Sequence, residues 1–166
     1  METFFDFNLS ALISQLIKIG IAFLLTLPIA LEREASTGMM GLRTFPLVAV
    51  ASCGYALIAQ SVFNDGGAEA RIMQGLITGI GFIGGGAILK QNDMVYGTAT
   101  AASIWTTGAI GAAAAYGEYE IAVLISVLDF ITLRLLKPLR RVLGTDNQDD
   151  DPEERSESHD LHPPAE

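Results

Sequence analysis

Five long apolar stretches fill most of the first 136 residues and strongly limit the folds open to this chain. They run from Leu9 to Leu31, Phe45 to Val62, Ile72 to Leu89, Thr98 to Tyr116 and Tyr119 to Leu136. About 18 such residues cross a bilayer as a helix, and a helix satisfies its own backbone groups in lipid. The sequence therefore predicts an all-α membrane protein, with a bundle of five transmembrane helices in residues 1–143.

The last 23 residues have a different composition. The segment GTDNQDDDPEERSESHDLHPPAE contains nine acids, one arginine and almost no apolar residue. Such a segment buries too little surface to offset the entropy of its chain. Residues 144–166 are therefore predicted to form a disordered acidic tail, and the low isoelectric point describes this tail rather than the body.

The basic residues alternate between the two ends of the predicted helices. The first and third connections, the end of the fifth run and the segment after it carry Arg33, Arg43, Lys90, Arg134, Lys137, Arg140 and Arg141. The second connection has a single arginine, Arg71, and the fourth has none. Because cytoplasmic loops are enriched in Lys and Arg, the N-terminus is predicted outside and the acidic tail in the cytoplasm.

Glycines in the third run spell a nucleotide-binding fingerprint. In TGIGFIGGG, Gly79, Gly81 and Gly84 match G-x-G-x-x-G. The fingerprint normally follows a strand and precedes an acid about 20 residues on, whereas here it lies inside an uncharged run with no acid in that region. A nucleotide site is therefore disfavoured.

Close helix packing is the preferred interpretation of these glycines. Small residues four apart let membrane helices approach closely, and Gly75–Gly79 and Gly81–Gly85 have this spacing. In the fourth run Gly108 and Gly111 are spaced in the same way from Ala112 and Ala115. The third and fourth runs are predicted to pack against each other or against a second subunit. A broken helix at Gly84, Gly85 and Gly86 is the alternative.

Three ionisable residues lie at or near membrane depth in the apolar runs, and one of them, Arg134, is expected to reach the cytoplasmic interface. Lys18 is near the middle of the first, and Asp129 is midway along the fifth. Ionisable groups at membrane depth are costly and are candidates for function. Asp129 either pairs with Lys18 or binds a cation in a polar interior, or it is a neutral, hydrogen-bonded residue that joins helices. Both interpretations stay open.

Polar residues at the ends of the runs are further candidates. Glu32, Arg33 and Glu34 follow the first run, and Arg43 and Thr44 precede the second. They form either a fixed charge cluster or interfacial anchors with a helix cap. Near the start of the third run, the same alternatives apply to a pair one turn apart, Arg71 and Gln74.

Enzymatic function is not expected. The two histidines lie in the tail, the single cysteine excludes an internal disulfide, and no nucleophile stands with a base. We therefore predict no catalytic residue and no cofactor, and nothing in the sequence predicts a nucleic-acid partner.

Several motifs resemble the membrane domain of the MgtC/SapB family. They are LERE, GLRT, RIMQGLITGIGFIGGGAIL and TAASIW, in this order over about residues 10–120. In the last motif the resemblance adds Thr100, Ser103 and Trp105 to the candidate residues. The sequence differs from the family pattern at Tyr96–Thr100, where this chain has YGTAT and the family usually has Arg-Gly-Leu-Thr-Thr. Many relatives also carry a folded cytoplasmic domain at the position of the acidic tail, so regulation through such a domain is expected to be absent or different.

The resemblance implies a bacterial inner-membrane protein connected with magnesium limitation and, in pathogens, with survival in the host. Two functions are compatible with this. The first is a regulator that packs its small-residue faces against a membrane-protein partner. The second is a small ion transporter or channel for Mg²⁺ or protons, acting as a homo-oligomer, which Asp129, Lys18 and the three adjacent glycines favour. The expected surroundings are the lipid bilayer, a membrane-protein partner or further copies of the chain, and Mg²⁺.

Overall fold

The computed structural model describes residues 8–37, 41–63, 65–91 and 94–142, with backbone alone for 37, 91, 94 and 136–142. Most of this chain is helical. The elements are α1 (Leu9–Thr37), α2 (Thr44–Val62), α3 (Gly66–Gly86), β1 (Leu89–Gln91), β2 (Met94–Tyr96), α4 (Thr98–Tyr116) and α5 (Tyr119–Val142). The predicted tail, 144–166, lies outside the described residues.

The ends of the helices follow local capping chemistry. The side chain of Asp65 accepts a hydrogen bond from the Gly67 N–H at 3.1 Å and so caps the start of α3. At the end of α4, Gly117 adopts a φ of +80°, and the Glu118 N–H donates to the Ala113 carbonyl at 2.9 Å. This is a Schellman termination, in which glycine takes the left-handed conformation without a steric penalty.

The third predicted run is displaced in the structure. Helix α3 begins six residues before Ile72 because Asp65 caps it, and it ends at Gly86 rather than Leu89. Leu89 instead starts an antiparallel hairpin in which it pairs with Tyr96. The alternative of a helix broken at Gly84–Gly86 agrees with the structure only in part, since α3 continues through Gly84 and Gly85 and ends at Gly86. The fourth run, by contrast, matches α4 at both ends.

The interior of the bundle contains mainly small side chains, and the large apolar ones face outward. One buried cluster consists of Ala22, Ala49, Cys53, Ala56, Ala114 and Ala115. In contrast, Phe82 is 85% exposed, and large apolar side chains on α1, α2 and α5 are exposed as well. This distribution suits a lipid environment, where association depends on close packing rather than on burying large apolar groups.

Two helices in the described residues are long and apolar enough to cross a membrane, over Leu9–Ser36 and Thr44–Val62. Five helices are present in this part of the chain, but five membrane crossings are not established by this criterion. The five-span topology therefore stays a prediction.

Glycines mark the closest approaches between helices. A Cβ added to Gly111 would lie 2.9 Å from the Ala49 carbonyl carbon and 2.9 Å from the Ser52 Cβ, so α4 and α2 are in near-backbone contact. A Cβ at Gly84 would lie 3.2 Å from the Ala101 carbonyl oxygen, which brings α3 against α4. The predicted packing of the third and fourth runs is therefore present at Gly84, whereas Gly111 packs on α2.

Most of the described basic residues lie at one end of the bundle. We call this the basic end; it contains the C-terminal parts of α1 and α5, the N-terminal parts of α2 and α4, and the β1–β2 hairpin. Contacts between Arg33 and Thr100, and between Glu32 and Arg134, join helices there. The opposite end contains the acids Asp65, Glu69 and Glu118 together with the bases Lys18 and Arg71.

Candidate functional site

Arg33 is the most deeply buried charged residue of the basic end among the described side chains. It is only 6% exposed, although it follows an apolar run. Its Nη2 donates a hydrogen bond of 2.6 Å to the Oγ1 of Thr100, at the start of α4. Hydrogen bonds to a charged group are stronger than neutral ones, and burial makes them costly to lose. Arg33 thus fixes the end of α1 against α4.

The neighbours of Arg33 point in other directions. Glu32 lies 4.0 Å from Arg134 on α5, and the Glu34 carboxylate accepts a bond of 3.1 Å from the Leu42 N–H. Arg43 is exposed. These contacts join the end of α1 to α4, to α5 and to the segment before α2.

Asp129 bonds to two hydroxyl groups on α4. The Ser103 Oγ donates to its Oδ1 at 3.1 Å, and the Thr106 Oγ1 donates to its Oδ2. The carboxylate is partly buried between α4 and α5. This is the arrangement of a hydrogen-bonded residue that joins two helices, and Thr106 is a partner that is not among the residues predicted from the sequence.

Lys18 has a different environment from Asp129. Its Nζ donates to the Ala115 carbonyl oxygen at 2.7 Å, and the Gln60 Nε2 donates to the same oxygen at 3.2 Å. Lys18 therefore caps the C-terminal end of α4, where a positive charge interacts favourably with the helix dipole. Ala115 and Ser103 are 12 residues apart, or about 18 Å along the helix. The suggested Lys18–Asp129 pair does not form.

The reason for this error is the position of α1. Residues 9–17 are all exposed in the described structure, so α1 enters the packed part of the bundle only near Lys18. Lys18, which is near the middle of the apolar run, consequently lies at the rim of the bundle. A sequence run reports the length of a helix but not its displacement along its neighbours.

Other hydroxyl groups inside the bundle bond to backbone carbonyls. The Ser126 Oγ donates to the Leu25 carbonyl at 2.6 Å and joins α5 to α1. Thr26 and Thr107 bond within their own helices, to Phe23 at 2.9 Å and to Ser103 at 2.6 Å. From the sequence alone, these residues are recognised only as small side chains that allow close packing. In the structure their buried hydroxyls are satisfied by backbone carbonyl oxygens.

Helix α3 presents two open surfaces separated by its contact with α4. On one side Gly75 and Gly79 line a groove of about 910 Å³ between α2 and α3. On the other side lie Gly81 and Gly85. Within the described residues, a Cβ at any of these four glycines would meet no heavy atom within 4 Å. We call the second surface, formed by Gly81 and Gly85 with Gln74 and Thr78, the outer glycine face.

Most of the remaining predicted residues lie on the surface, but Gly108 is buried and Thr44 is half-buried. Arg71, Gln74 and Trp105 are exposed, and Thr44 borders the groove beside Arg43. A Cβ at Gly86 would meet nothing within 4 Å in the described structure, whereas one at Gly108 would collide with the flexible end of Ile80. In the ranges that the structure describes, no three His, Cys, Asp or Glu residues come together as a metal site.

Comparison with known proteins places the chain in a family. Residues 19–142 match the model of the MgtC family. Protein SapB of Bacillus subtilis is 34% identical over 79% of this chain and 60% of its own length. The putative magnesium transporter YhiD of Escherichia coli is 35% identical over 67% of this chain and 55% of its own. Protein MgtC of Brucella abortus is 35% identical over 74% of this chain and 51% of its own.

No solved structure matches the chain. The chain spans about half to three fifths of the length of these curated relatives. The matched residues include the glycines of α3, the Arg33–Thr100 contact and Asp129. From the family match over most of the sequence, we conclude that this chain belongs to the MgtC family.

Proposed function

We propose that this chain is an inner-membrane protein that acts in Mg²⁺ homeostasis by packing α3 against another membrane protein. In this proposal all five helices cross the membrane, the basic end faces the cytoplasm and the N-terminus lies outside. The protein regulates its partner and supports adaptation to low Mg²⁺, which in a pathogen contributes to survival in the host.

The Mg²⁺ connection is supported by the relatives, since one of them is described as a putative magnesium transporter. The orientation is supported by the charges. Arg33, Arg43, Lys90 and Arg134 belong to the basic end, and cytoplasmic segments are enriched in such residues. The outward-facing apolar side chains of the bundle support a lipid environment.

The observation that carries the regulatory proposal is the open outer glycine face. Glycines used for packing inside this protein contact neighbouring helices, as Gly84 and Gly111 do. Gly81 and Gly85 have the same four-residue spacing, yet no atom of the described residues lies within 4 Å of an added Cβ. A glycine costs about 1 kcal/mol relative to alanine inside a helix. Close approach of a partner's helix offsets that cost.

Polar groups on the same face favour a protein partner. Gln74 is exposed, and the exposed Thr78 bonds its hydroxyl back to the Gln74 carbonyl at 2.8 Å. Amide and hydroxyl groups bond across helix interfaces in membranes, with about 0.6–2 kcal/mol for each. The acyl chains of lipids have no hydrogen-bond donor or acceptor for these groups.

A leucine at Gly85 tests this interface. A photo-activated crosslinker at Thr78 is expected to capture one discrete membrane protein in native bacterial membranes. Gly85→Leu should reduce that crosslink at least tenfold and abolish growth support in low Mg²⁺, because the side chain separates the two helices. Crosslink yield and growth are measured on the same strains.

Gly79→Leu is the matched control. It makes the same change in the same helix, also into open space, but on the groove side. It should retain the crosslink. If Gly85→Leu retains both crosslink and growth while the protein stays folded, the outer glycine face is not the interface.

A small ion transporter is the second candidate, and the polar residues on α4 favour it. Thr100, Ser103 and Thr107 lie on one helical face, where Thr100 accepts a bond from Arg33 and Ser103 donates one to Asp129. Mg²⁺ binds several oxygens and retains much of its water. In this candidate, oligomerisation would supply further carboxylates.

A further inference from the structure

We propose that the groove between α2 and α3 binds one anionic phospholipid, with its phosphate at Arg43 and its acyl chain along Gly75 and Gly79. The inference rests on the groove itself and is independent of the regulatory proposal. It assigns a ligand class to the groove of about 910 Å³ between these two helices.

The lining of the groove is apolar along most of its length and carries a charge at one end. Its walls are mainly apolar and include Leu47, Ile58, Leu76 and Ile83. Of the described residues that line it, Arg43 alone carries a charge, and it lies at the basic end. Thr44 is beside it at the start of α2, a helix with no acid in its first turn. A ligand that fits has an apolar chain and an anionic group at one end.

The electrostatics at this end favour an anion. The start of α2 adds the partial positive charge of a helix N-terminus to the guanidinium of Arg43. The carboxylate of Glu34 accepts a bond from the neighbouring Leu42 N–H, but Glu34 does not line the groove. Anionic headgroups attract each basic residue at the membrane surface by about 1 kcal/mol.

The length of the groove suits an extended acyl chain. The lining runs from Arg43 to Ile58 on α2, which is about 22 Å at 1.5 Å per residue. That length exceeds one leaflet of hydrocarbon, about 15 Å, so a chain that begins at a phosphate beside Arg43 can lie along the groove.

Native mass spectrometry tests the proposal on the purified full chain in detergent. Equal amounts of phosphatidylglycerol and phosphatidylcholine with identical acyl chains are added, and the bound lipids are counted. The protein should retain one phosphatidylglycerol in preference to phosphatidylcholine. Arg43→Gln should reduce that preference about fivefold. Gly79→Leu should abolish retention of both lipids, because its side chain fills the groove.

Two variants serve as controls. Arg71→Gln removes an exposed charge at the opposite end of the bundle, and Gly85→Leu adds the same side chain on the outer glycine face. Both should bind lipid like the parent protein. Circular dichroism should be unchanged in all four variants, since every substitution is at an exposed position.

Three outcomes would overturn the proposal. The first is equal retention of the two lipids by the parent protein. The second is an equal loss of preference in Arg43→Gln and Arg71→Gln, which would indicate general surface charge. The third is a dimer of the parent protein that Gly79→Leu dissociates, which would place a second copy in the groove.

Discussion

Gly111→Ala is expected to destabilise the bundle more than alanine at any other glycine within α3 or α4. An added Cβ would meet the Ala49 carbonyl well inside van der Waals contact, and it would lie 2.9 Å from the Ser52 Cβ. Since a backbone cannot rotate away as a side chain can, α2 and α4 must separate. The expected cost is about 3 kcal/mol, at the upper end of overpacking effects, and thermal unfolding in detergent measures it.

Gly81→Ala and Gly108→Ala calibrate this result. In the described structure, alanine at Gly81 enters open space, so it should be neutral or stabilise α3 by up to about 1 kcal/mol. Alanine at Gly108 meets the flexible end of Ile80 and should fall between the two. If all three variants unfold at the same temperature, α2 and α4 are not packed as described.

Thr100→Val should produce the second large loss of stability. Valine keeps the shape of threonine but removes the oxygen that accepts the 2.6 Å bond from Arg33. Arg33 is 6% exposed and Thr100 is 5% exposed, so water cannot easily replace this bond. The expected loss is about 1.5–3 kcal/mol, the range for hydrogen bonds to charged groups. Unfolding in detergent measures the loss.

Thr78→Val provides the comparison. Thr78 is exposed, and its hydroxyl bonds to the Gln74 carbonyl of its own helix. Its replacement should change the unfolding temperature little. Equal effects of the two valines would show that the Arg33–Thr100 contact does not hold α1 against α4.

The sequence predicts helices well where their ends carry clear signals. The end of α4 follows from Gly117, the glycine after Tyr116, and both boundaries match the predicted run Thr98–Tyr116. The predicted α3 boundaries are wrong because the apolar run alone takes no account of Asp65, a capping residue. After α3 ends at Gly86, the chain forms a hairpin in which Leu89 pairs with Tyr96. Leu89 is apolar like the helix before it, so the apolar pattern does not show where the helix stops.

The direction in which a glycine faces could not be predicted. Small residues occupy every side of α4, so the sequence does not distinguish the face that meets α2 from the face that meets α3. Gly111 and Gly108 belong to different contacts for this reason. On α3, the pairs Gly75–Gly79 and Gly81–Gly85 have identical spacing but open in different directions.

The partners of Asp129 could not be predicted for a related reason. Its position in an apolar run identifies it as a candidate, but its contacts depend on how far α5 is displaced along α4. Ser103 and Thr106 are three residues apart and therefore share a helical face. That spacing is present in the sequence, within a segment whose small residues indicate only a packing surface.

Ion flux tests the proposed function most directly, because the proposal assigns Asp129 to holding helices and α3 to binding a partner. The protein is reconstituted in sealed liposomes, its orientation and folding are verified, and Mg²⁺ and proton fluxes are measured beside protein-free vesicles. For a regulator we predict no flux above that background. Flux above background that falls in Asp129→Asn would contradict the regulatory role and make the chain a transporter.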